Sequence, residues 1–254
     1  MLDSRVGISF RLILIIIISC LGASACQTDS PAKIDDPALL LKKGAELDKE
    51  KNYFLAGQYY KRVLDDFPDS RERVKALMLQ ADNHMKRKEY AEAKLDYQQF
   101  IELYPAWPNV DRAHFYLAMT DFMIIDNAAR DQSHTRSALE QFDRLVKNFP
   151  QSPYRQRAEA KARECRNKLA ANILEIGKYY FRTRSYQSAI NRFKKLLNTY
   201  PNQKFNDEAL FLLAESYRKE QNFREARLFY NQLVDQYPKS PFTREALLRL
   251  KKSR

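Results

Sequence analysis

The strongest constraint on the fold is an aromatic residue followed by proline, which recurs five times along the chain. The pairs are Phe67-Pro68, Tyr104-Pro105, Phe149-Pro150, Tyr200-Pro201 and Tyr237-Pro238. An alanine precedes each proline by twelve residues and an aromatic ring precedes it by eight, so both lie on one face of a helix. These residues are Ala56, Ala93, Ala138, Ala189 and Ala226, with Tyr60, Tyr97, Phe142, Phe193 and Tyr230. Each segment is therefore predicted to be an amphipathic helix that ends at the aromatic–proline pair, because proline cannot continue a helix.

The segment before each of these helices repeats as well. Four of the five units carry an aromatic residue fifteen positions before the proline and a small residue twenty-four before it. These are Tyr53, Tyr90, Tyr186 and Phe223, with Gly44, Ala81, Gly177 and Ala214. The small residue lets the first helix of a unit approach the second closely. Helix pairs of about 34 residues with this pattern resemble the tetratricopeptide repeat, so the predicted fold is an all-α solenoid of five helix-turn-helix repeats, with a C-terminal capping helix over 243–252.

The composition argues against several other classes of protein. The 254 residues include only 5 glycines and show no strand-like alternation, which disfavours phosphate-binding glycine loops and β architectures. His84, His114 and His134 are too far apart to resemble a metal-binding pair and are interpreted as surface or packing residues. The carboxylates, on helices rich in lysine and arginine, are interpreted as solvated ion pairs. Without a nucleophile elbow, metalloprotease motif or Walker loop, the sequence predicts no enzyme, no cofactor and no metal site.

The first residues have the pattern of a secretory signal. Basic residues come before an apolar run at 12–18, which is too short for a membrane-spanning helix of roughly 20 residues. Residues 23–26, Ala-Ser-Ala-Cys, resemble a bacterial lipobox, in which Cys26 becomes the first residue of the mature protein and carries a covalent N-acyl diacylglycerol. Residues 1–25 are thus predicted to be a lipoprotein signal peptide. Two alternatives stay open: acylation of Cys20, or ordinary cleavage without a lipid.

The polar stretch at 26–37 is predicted to be a lipidated, flexible tether before the first repeat. Gln27 follows the lipobox cysteine, which by resemblance to such signals in enteric bacteria implies the periplasmic face of the outer membrane. The formal net charge of +12 is read as solvated helix faces, with contact to anionic headgroups or an acidic partner as the alternative. A periplasmic address argues against nucleic acid. Cys165, the one cysteine besides Cys20 and Cys26, is predicted to pack between helices.

Two intervals between successive prolines exceed a minimal repeat. In the third repeat, the excess is predicted to form a protruding loop near 125–135, between a helix that ends at 124 and one that begins at 136. In the fourth, apolar residues at helical spacing across 154–168 predict a longer first helix. The chain is thus divided into 38–153, which holds repeats 1 to 3, and 154–254, which holds the linker helix, repeats 4 and 5 and the capping helix.

Short motifs resemble one family of repeat lipoproteins. Residues 108–111 (Pro-Asn-Val-Asp) are similar to its Pro-Asn-Ile-Asp start of repeat 3, 130–132 (Arg-Asp-Gln) to its Arg-Asp-Pro loop, and 151–154 (Gln-Ser-Pro-Tyr) to its Asn-Ser-x-Tyr corner. With the lipobox, five repeats and long linker, they resemble the BamD family, lipoprotein subunits of the outer-membrane β-barrel assembly machinery. The resemblance implies a scaffold that binds unfolded outer-membrane proteins in repeats 1 to 3, beside the barrel-assembly subunit and accessory lipoproteins.

The repeat register predicts candidate contact residues. First-helix positions on the concave side of repeats 1 to 3 carry an apolar stripe, which is either packing between repeats or a groove for short extended segments with aromatic termini. The stripe consists of Leu41, Met78, Met85, Phe115, Met119 and Phe122. Lys49 and Lys86 are candidates to receive a carboxylate. The family resemblance implies docking of the barrel-assembly subunit on repeats 4 and 5, with Arg192 as a candidate ion-pairing residue.

The leading interpretation is a lipid-anchored scaffold that holds an outer-membrane insertase and receives its unfolded clients by binding alone. One alternative is a periplasmic repeat lipoprotein that coordinates peptidoglycan or cell-division machinery. Another is an accessory subunit of a cell-wall enzyme or of a secretion system. The proteins that copurify with this chain from membranes would distinguish these interpretations.

Overall fold

The computed structural model describes residues 34–125 and 131–252, and every regular element in these ranges is an α-helix. In chain order the helices are α1 (Pro37–Lys49), α2 (Tyr53–Asp66), α3 (Glu72–Lys86), α4 (Tyr90–Leu103), α5 (Val110–Ile124), α6 (Ser133–Asn148), α7 (Arg155–Arg182), α8 (Tyr186–Thr199), α9 (Asn206–Lys219), α10 (Phe223–Gln236) and α11 (Thr243–Lys252). The first ten form five pairs and α11 caps the last pair, as predicted. The predicted signal peptide, Cys20 and Cys26 lie outside the described residues.

The helices pack in the order in which they occur in the chain. Consecutive helices share the extensive contacts, and smaller contacts join α1 to α3 and α7 to α9, which are first helices of neighbouring repeats. The buried apolar residues of the described ranges form four clusters along the array instead of one central core. This is the organisation of a tetratricopeptide-repeat solenoid, in which each unit is stabilised by the units on either side.

The second helix of each repeat ends where the sequence predicts. Helices α2, α4, α6, α8 and α10 each stop at the residue before the aromatic–proline pair, and the amide of the aromatic residue closes the last turn. The alanines and rings of the predicted apolar face, twelve and eight residues before each proline, are all buried. The apolar face of each second helix is therefore its packing face, as its amphipathic pattern indicates.

The turn inside four of the repeats holds a non-glycine residue in the left-handed region of backbone conformation. These residues, with φ between 60° and 64°, are Lys51, Lys88, Arg184 and Gln221. Each stands seventeen residues before the closing proline. The next amide bonds to the carbonyl five residues earlier, as that of Asn52 does to Leu47 at 2.9 Å, which ends the first helix in a Schellman motif. The first helix thus ends at the same repeat position in all four units.

Glycine in the first helix allows a ring of the second helix to lie directly against the backbone. A Cβ atom on Gly177 would lie 2.5 Å from Cε1 of Phe193, and one on Gly44 would lie 2.5 Å from Cε1 of Tyr60. Both distances are far below the usual separation of about 3.5–4.0 Å between carbon atoms in contact. The packing role predicted for the small residue is confirmed at these two positions.

The extra residues of the fourth repeat form a longer helix, as predicted. Helix α7 runs for 28 residues, against 14 for α8, and buries Ala158, Ala162, Cys165 and Leu169. In the third repeat, α6 begins at Ser133, so the helix starts earlier than the sequence indicates. Residues 126–130 of the predicted loop lie outside the described ranges.

The folded array begins within the predicted tether, which corrects the boundary at 37. Ile34 packs against the core of the first repeat, and its carbonyl accepts a hydrogen bond of 3.1 Å from Arg62. Asp36 caps α1 by accepting from the amide of Ala38 at 2.8 Å. Residues 34–37 therefore belong to the array. Their composition does not reveal this, because a helix cap is as polar as a tether.

A buried carboxylate attaches the capping helix to the last repeat. Glu215 of α9 accepts hydrogen bonds from the Tyr230 hydroxyl, from Arg218 at 2.7 Å and from Arg249 of α11 at 2.9 Å. Burial by itself raises the pKa of this carboxyl, but the hydrogen bonds from Arg218, Tyr230 and Arg249 outweigh burial, and the pKa is lowered. The interpretation of the carboxylates as solvated ion pairs is wrong for Glu215.

Replacement of Gly177 by alanine is expected to destabilise the array by roughly 1–3 kcal/mol, because the added methyl group overlaps the ring of Phe193. Urea unfolding followed by circular dichroism measures the change in the free energy of unfolding. The smaller side chain of Phe193→Leu should make the Gly177→Ala change less costly in the double variant than in the wild-type background. A Gly177→Ala protein as stable as the wild type would contradict the close approach of the two helices.

Glu215 should make the stability of the C-terminal half depend on acid pH. Since its pKa is lower in the folded than in the unfolded chain, its contribution is present above the unfolded value near 4.5 and is lost as pH falls through the folded value. Thermal unfolding between neutral pH and acid should therefore show a steeper loss below about pH 4.5 for the wild type than for Glu215→Gln. Parallel curves for the two proteins would show that this carboxylate makes no such contribution.

Candidate binding groove

An open groove of about 370 Å³ lies between the first helices of repeats 2 and 3. Apolar lining comes from Val74, Met78 and Leu79 of α3 and from Trp107 in the corner before α5. The polar residues of the lining are Lys75, Asp82, Asn109 and Arg112. A concave site with apolar walls and a few polar groups is suited to hold an apolar side chain of a ligand while the polar groups orient its backbone.

The corner between α4 and α5 brings Trp107 to the groove. The amide of Trp107 bonds to the carbonyl of Tyr104, and the amide of Val110 bonds to the carbonyl of Trp107, both at 3.0 Å. This turn holds the indole ring 6.5 Å from the ring of Tyr104 and leaves 37% of Trp107 exposed. Trp107 thus presents an anchored aromatic surface, and tryptophan is enriched among the residues that dominate binding between proteins.

Asp82 joins the two helices that form the groove. It accepts a hydrogen bond of 2.7 Å from the hydroxyl of Tyr97 and one of 2.6 Å from the guanidinium of Arg112, which also lies 5.1 Å from the centre of the Tyr116 ring. Burial, reinforced by the charge of Asp82, raises the pKa of Tyr97, so this hydroxyl stays protonated and donates. Asp82 and Glu215 both directly follow the small residue of the first helix, so two repeats use the same arrangement.

The predicted apolar stripe is divided between the groove and the cores of the repeats. Met78 lines the groove and is also half-buried against the core of the second repeat. Leu41 is half-buried against the core of the first repeat, and Met85 is half-buried against that of the second. The stripe is therefore not one continuous open surface, and of these three residues it is Met78 that faces the groove.

Phe115 is a core residue, which corrects its prediction as a groove contact. It is 1% exposed, and its ring centre lies 5.0 Å from that of Tyr154 and 5.9 Å from that of Phe142. Met119 and Phe122 are half-buried against the same cluster. The physical reason is that the first turns of α7 belong to this cluster and cover the part of the stripe on α5.

The cations predicted to receive a carboxylate differ in their surroundings. The ammonium of Lys86 contacts Asp48 and lies 5.6 Å from the centre of the Tyr53 ring, so a ligand would have to displace an existing ion pair. Lys49 is exposed at the C-terminal end of α1. On the other half of the array, Arg192 of α8 is half-buried, and no carboxylate of the described ranges pairs with it.

The sequence interpretation missed a second buried acid, on α5. Asp121 is fully buried and accepts hydrogen bonds from Lys94 at 2.8 Å, from His134 at 2.9 Å and from Ser137 at 2.6 Å. Burial raises the pKa of this carboxyl, but the hydrogen bonds from Lys94, Ser137 and His134 lower it further than burial raises it. Spacing could not reveal this cluster, because the donors come from α4 and α6.

His84, His114 and Cys165 lie at contacts between helices, whereas His134 is exposed. His84 hydrogen-bonds to Asp96 at 2.8 Å, and the ring of His114 lies 5.1 Å from that of Phe149. Cys165 is buried, and burial raises its pKa to about 11. Within the described ranges, no three histidine, cysteine or acidic residues are grouped so that they could hold a metal ion. The same part of the chain contains no helix with the length and apolar character needed to cross a membrane.

Helix pairs in series, followed by a capping helix, define this chain as a tetratricopeptide-repeat protein. Solved structures of such proteins resemble it. The TPR2AB domain of yeast Sti1, in a complex with pHSP90, has a TM-score of 0.45 and 13% identity, and the match covers 85% of this chain and 82% of that one. A tetratricopeptide-repeat protein of Thermus thermophilus has a TM-score of 0.38 and 18% identity, over 86% and 98% of the two chains.

The sequence comparisons identify the family. The family model YfiO, described as outer membrane lipoprotein, matches residues 35–227. The outer membrane protein assembly factor BamD of Haemophilus influenzae is 31% identical over 190 residues, which cover 71% of this chain and 72% of the relative. BamD of Rickettsia prowazekii is 28% identical over 204 residues, which cover 80% and 81%. The chain belongs to the YfiO family of outer membrane lipoproteins.

The division between core and groove can be tested by two substitutions. Phe115→Ala removes a buried ring and should lower the free energy of unfolding by about 3–5 kcal/mol. Met78→Ala changes a side chain at the open groove and should cost clearly less, roughly 1 kcal/mol. Urea unfolding of both variants provides the comparison. Similar losses at the two positions would mean that Met78 is as much a core residue as Phe115.

Proposed function

We propose that this protein is a lipid-anchored scaffold of the outer-membrane β-barrel assembly machinery. It works by binding and catalyses no reaction. Repeats 1 to 3 receive unfolded segments of outer-membrane proteins, and repeats 4 and 5 dock the barrel-assembly subunit, with accessory lipoproteins as further partners. An N-acyl diacylglycerol on Cys26 holds the array at the periplasmic face of the outer membrane.

The observation that carries this proposal is an open apolar groove in a chain whose relatives are outer membrane protein assembly factors. An unfolded client exposes apolar side chains of many shapes. Met78 suits such clients, because methionine is flexible and polarizable and adapts to different partners. Trp107 adds a rigid aromatic surface to the same groove. In solenoids, the surface formed by successive repeats is the usual binding surface.

Two observations support the docking of a partner on repeats 4 and 5: the surroundings of Arg192 and the length of α7. Arg192 is half-buried on α8 without a carboxylate partner among the described residues, and arginine forms strong bidentate pairs with carboxylates at interfaces. Helix α7 extends over 28 residues between the two halves. This separation leaves room for a client on repeats 2 and 3 while a partner occupies repeats 4 and 5.

Depletion of the protein should lower the amount of folded β-barrel proteins in the outer membrane, because their unfolded forms would no longer be received. The shift in gel mobility between heated and unheated barrels measures the folded fraction. Re-expression of a variant with both Met78→Asp and Trp107→Ala should restore less folded protein than Leu95→Asp, which changes an exposed residue of α4 outside the groove. Normal levels of folded barrels after depletion would contradict the proposal. They would favour a role in peptidoglycan, cell division or secretion.

A further inference from the structure

Arg157, in the first turn of α7, is held over two aromatic rings. Its guanidinium lies 4.7 Å from the centre of the Phe115 ring and 5.8 Å from that of Tyr154, and these rings stack 5.0 Å apart. The residue is exposed, and its guanidinium forms no ion pair within the ranges that the structure describes. Contact with the faces of two rings orients the guanidinium while its N–H groups stay free to donate to a ligand.

The neighbouring cations are already paired. Arg112 donates to Asp82 at 2.6 Å, and Lys161 lies 3.0 Å from Glu164. An anion that approaches this surface would therefore meet one guanidinium without a competing carboxylate. The planar guanidinium matches a carboxylate through two parallel hydrogen bonds, which are stronger than hydrogen bonds between neutral groups.

Arg157 lies next to the groove between α3 and α5. The ring of Tyr154 is 6.2 Å from that of Tyr116. The guanidinium of Arg112, which lines the groove, lies 5.1 Å from the centre of the Tyr116 ring. An extended chain advances about 3.3 Å per residue. The contacts that join Arg157 to Arg112 through Tyr154 and Tyr116 each measure between 5.1 and 6.2 Å. Roughly three or four extended residues, together with the lengths of their side chains, can therefore reach from the groove to Arg157.

We propose that Arg157 receives the carboxylate of an aspartate or glutamate side chain in an extended client segment whose apolar side chain occupies the α3–α5 groove. The inference rests on the proposed function of the groove and adds a second requirement, an acidic residue roughly three or four positions from the apolar one. The carboxylate is assigned to a side chain because the surface continues past Arg157 to Lys161, which lies 4.4 Å from the ring of Phe122. A bound segment thus passes the guanidinium instead of ending there.

Trp107 provides the signal for the test, because it is the only tryptophan of the chain and lines the groove. The probes are three short, acetylated peptides without tryptophan. The first has a phenylalanine, an aspartate roughly four residues later and an amidated end. The second has asparagine in place of the aspartate, and the third has this asparagine and a free terminal carboxylate. Each is titrated into the full-length protein in detergent while Trp107 fluorescence is recorded.

The aspartate peptide should bind about tenfold more tightly than the amidated asparagine peptide. Arg157→Gln should abolish this difference and leave the affinity for the asparagine peptide unchanged. Arg157→Lys, which keeps the charge without the planar pair of donors, should retain part of the preference. Arg163→Gln removes another exposed arginine of α7 and is the matched control, which should behave as the wild type.

The assignment of Arg157 would be overturned by equal affinities for the aspartate and asparagine peptides, or by a preference for aspartate that survives Arg157→Gln. Either result would leave the groove as a binding site. A preference for the free terminal carboxylate that is lost in Arg157→Gln would overturn the assignment to a side chain. If none of the peptides changes Trp107 fluorescence, the groove fails as a binding site and this inference fails with it. The comparison of peptides on the unaltered protein does not depend on the folding of any variant.

Discussion

The contact between a small residue of the first helix and a buried ring of the second is the interaction on which the array depends. In repeats 1 and 4, the rings of Tyr60 and Phe193 lie so close to glycine that a methyl group would not fit. The equivalent rings of the other repeats are buried as well. In repeats 1 and 4, the contact sets how closely the two helices approach each other.

The open groove lies at the junction between repeats 2 and 3. The first helices of repeats 2 and 3 approach closely enough for Arg112 to reach Asp82, and yet they leave Met78 and Trp107 accessible. At the next junction the first turns of α7 cover Phe115 and place Arg157 over it. The apolar groove thus lies beside the guanidinium of Arg157, which the first turn of α7 places there.

The ends of the second helices and the length of α7 could be predicted because local chemistry determines them, whereas the start of α6 and the start of the array could not. Proline stops each second helix, and the spacing of apolar residues along α7 required a longer helix. The burial of Phe115 and Asp121 could not be predicted in the same way, since it depends on which neighbouring helix covers each face. The ion pair of Lys86 with Asp48 could not be predicted either, because the two residues lie 38 positions apart in the chain.

The two acids that accept from a buried tyrosine carry a sequence signal that is visible once the structure is known. Asp82 and Glu215 each follow the small residue of a first helix and stand fifteen residues before Tyr97 and Tyr230. Repeat 4 has phenylalanine at the ring position, and Lys178 follows its small residue. In repeats 2 and 5 the acid supplies the acceptor that a buried tyrosine hydroxyl needs. Repeat 1 departs from this arrangement, because Ala45 follows its small residue and the buried hydroxyl of Tyr60 has no hydrogen-bond partner among the described residues.

We propose that the groove between α3 and α5 receives unfolded outer-membrane proteins. The most direct measurement is photo-crosslinking in cells, with the reactive group at Met78 in the groove or at Leu95, which is 66% exposed on α4. We expect Met78 to capture newly made barrel proteins, this capture to decline as they fold, and Leu95 to capture few. Equal capture at both positions, or none at Met78, would contradict it.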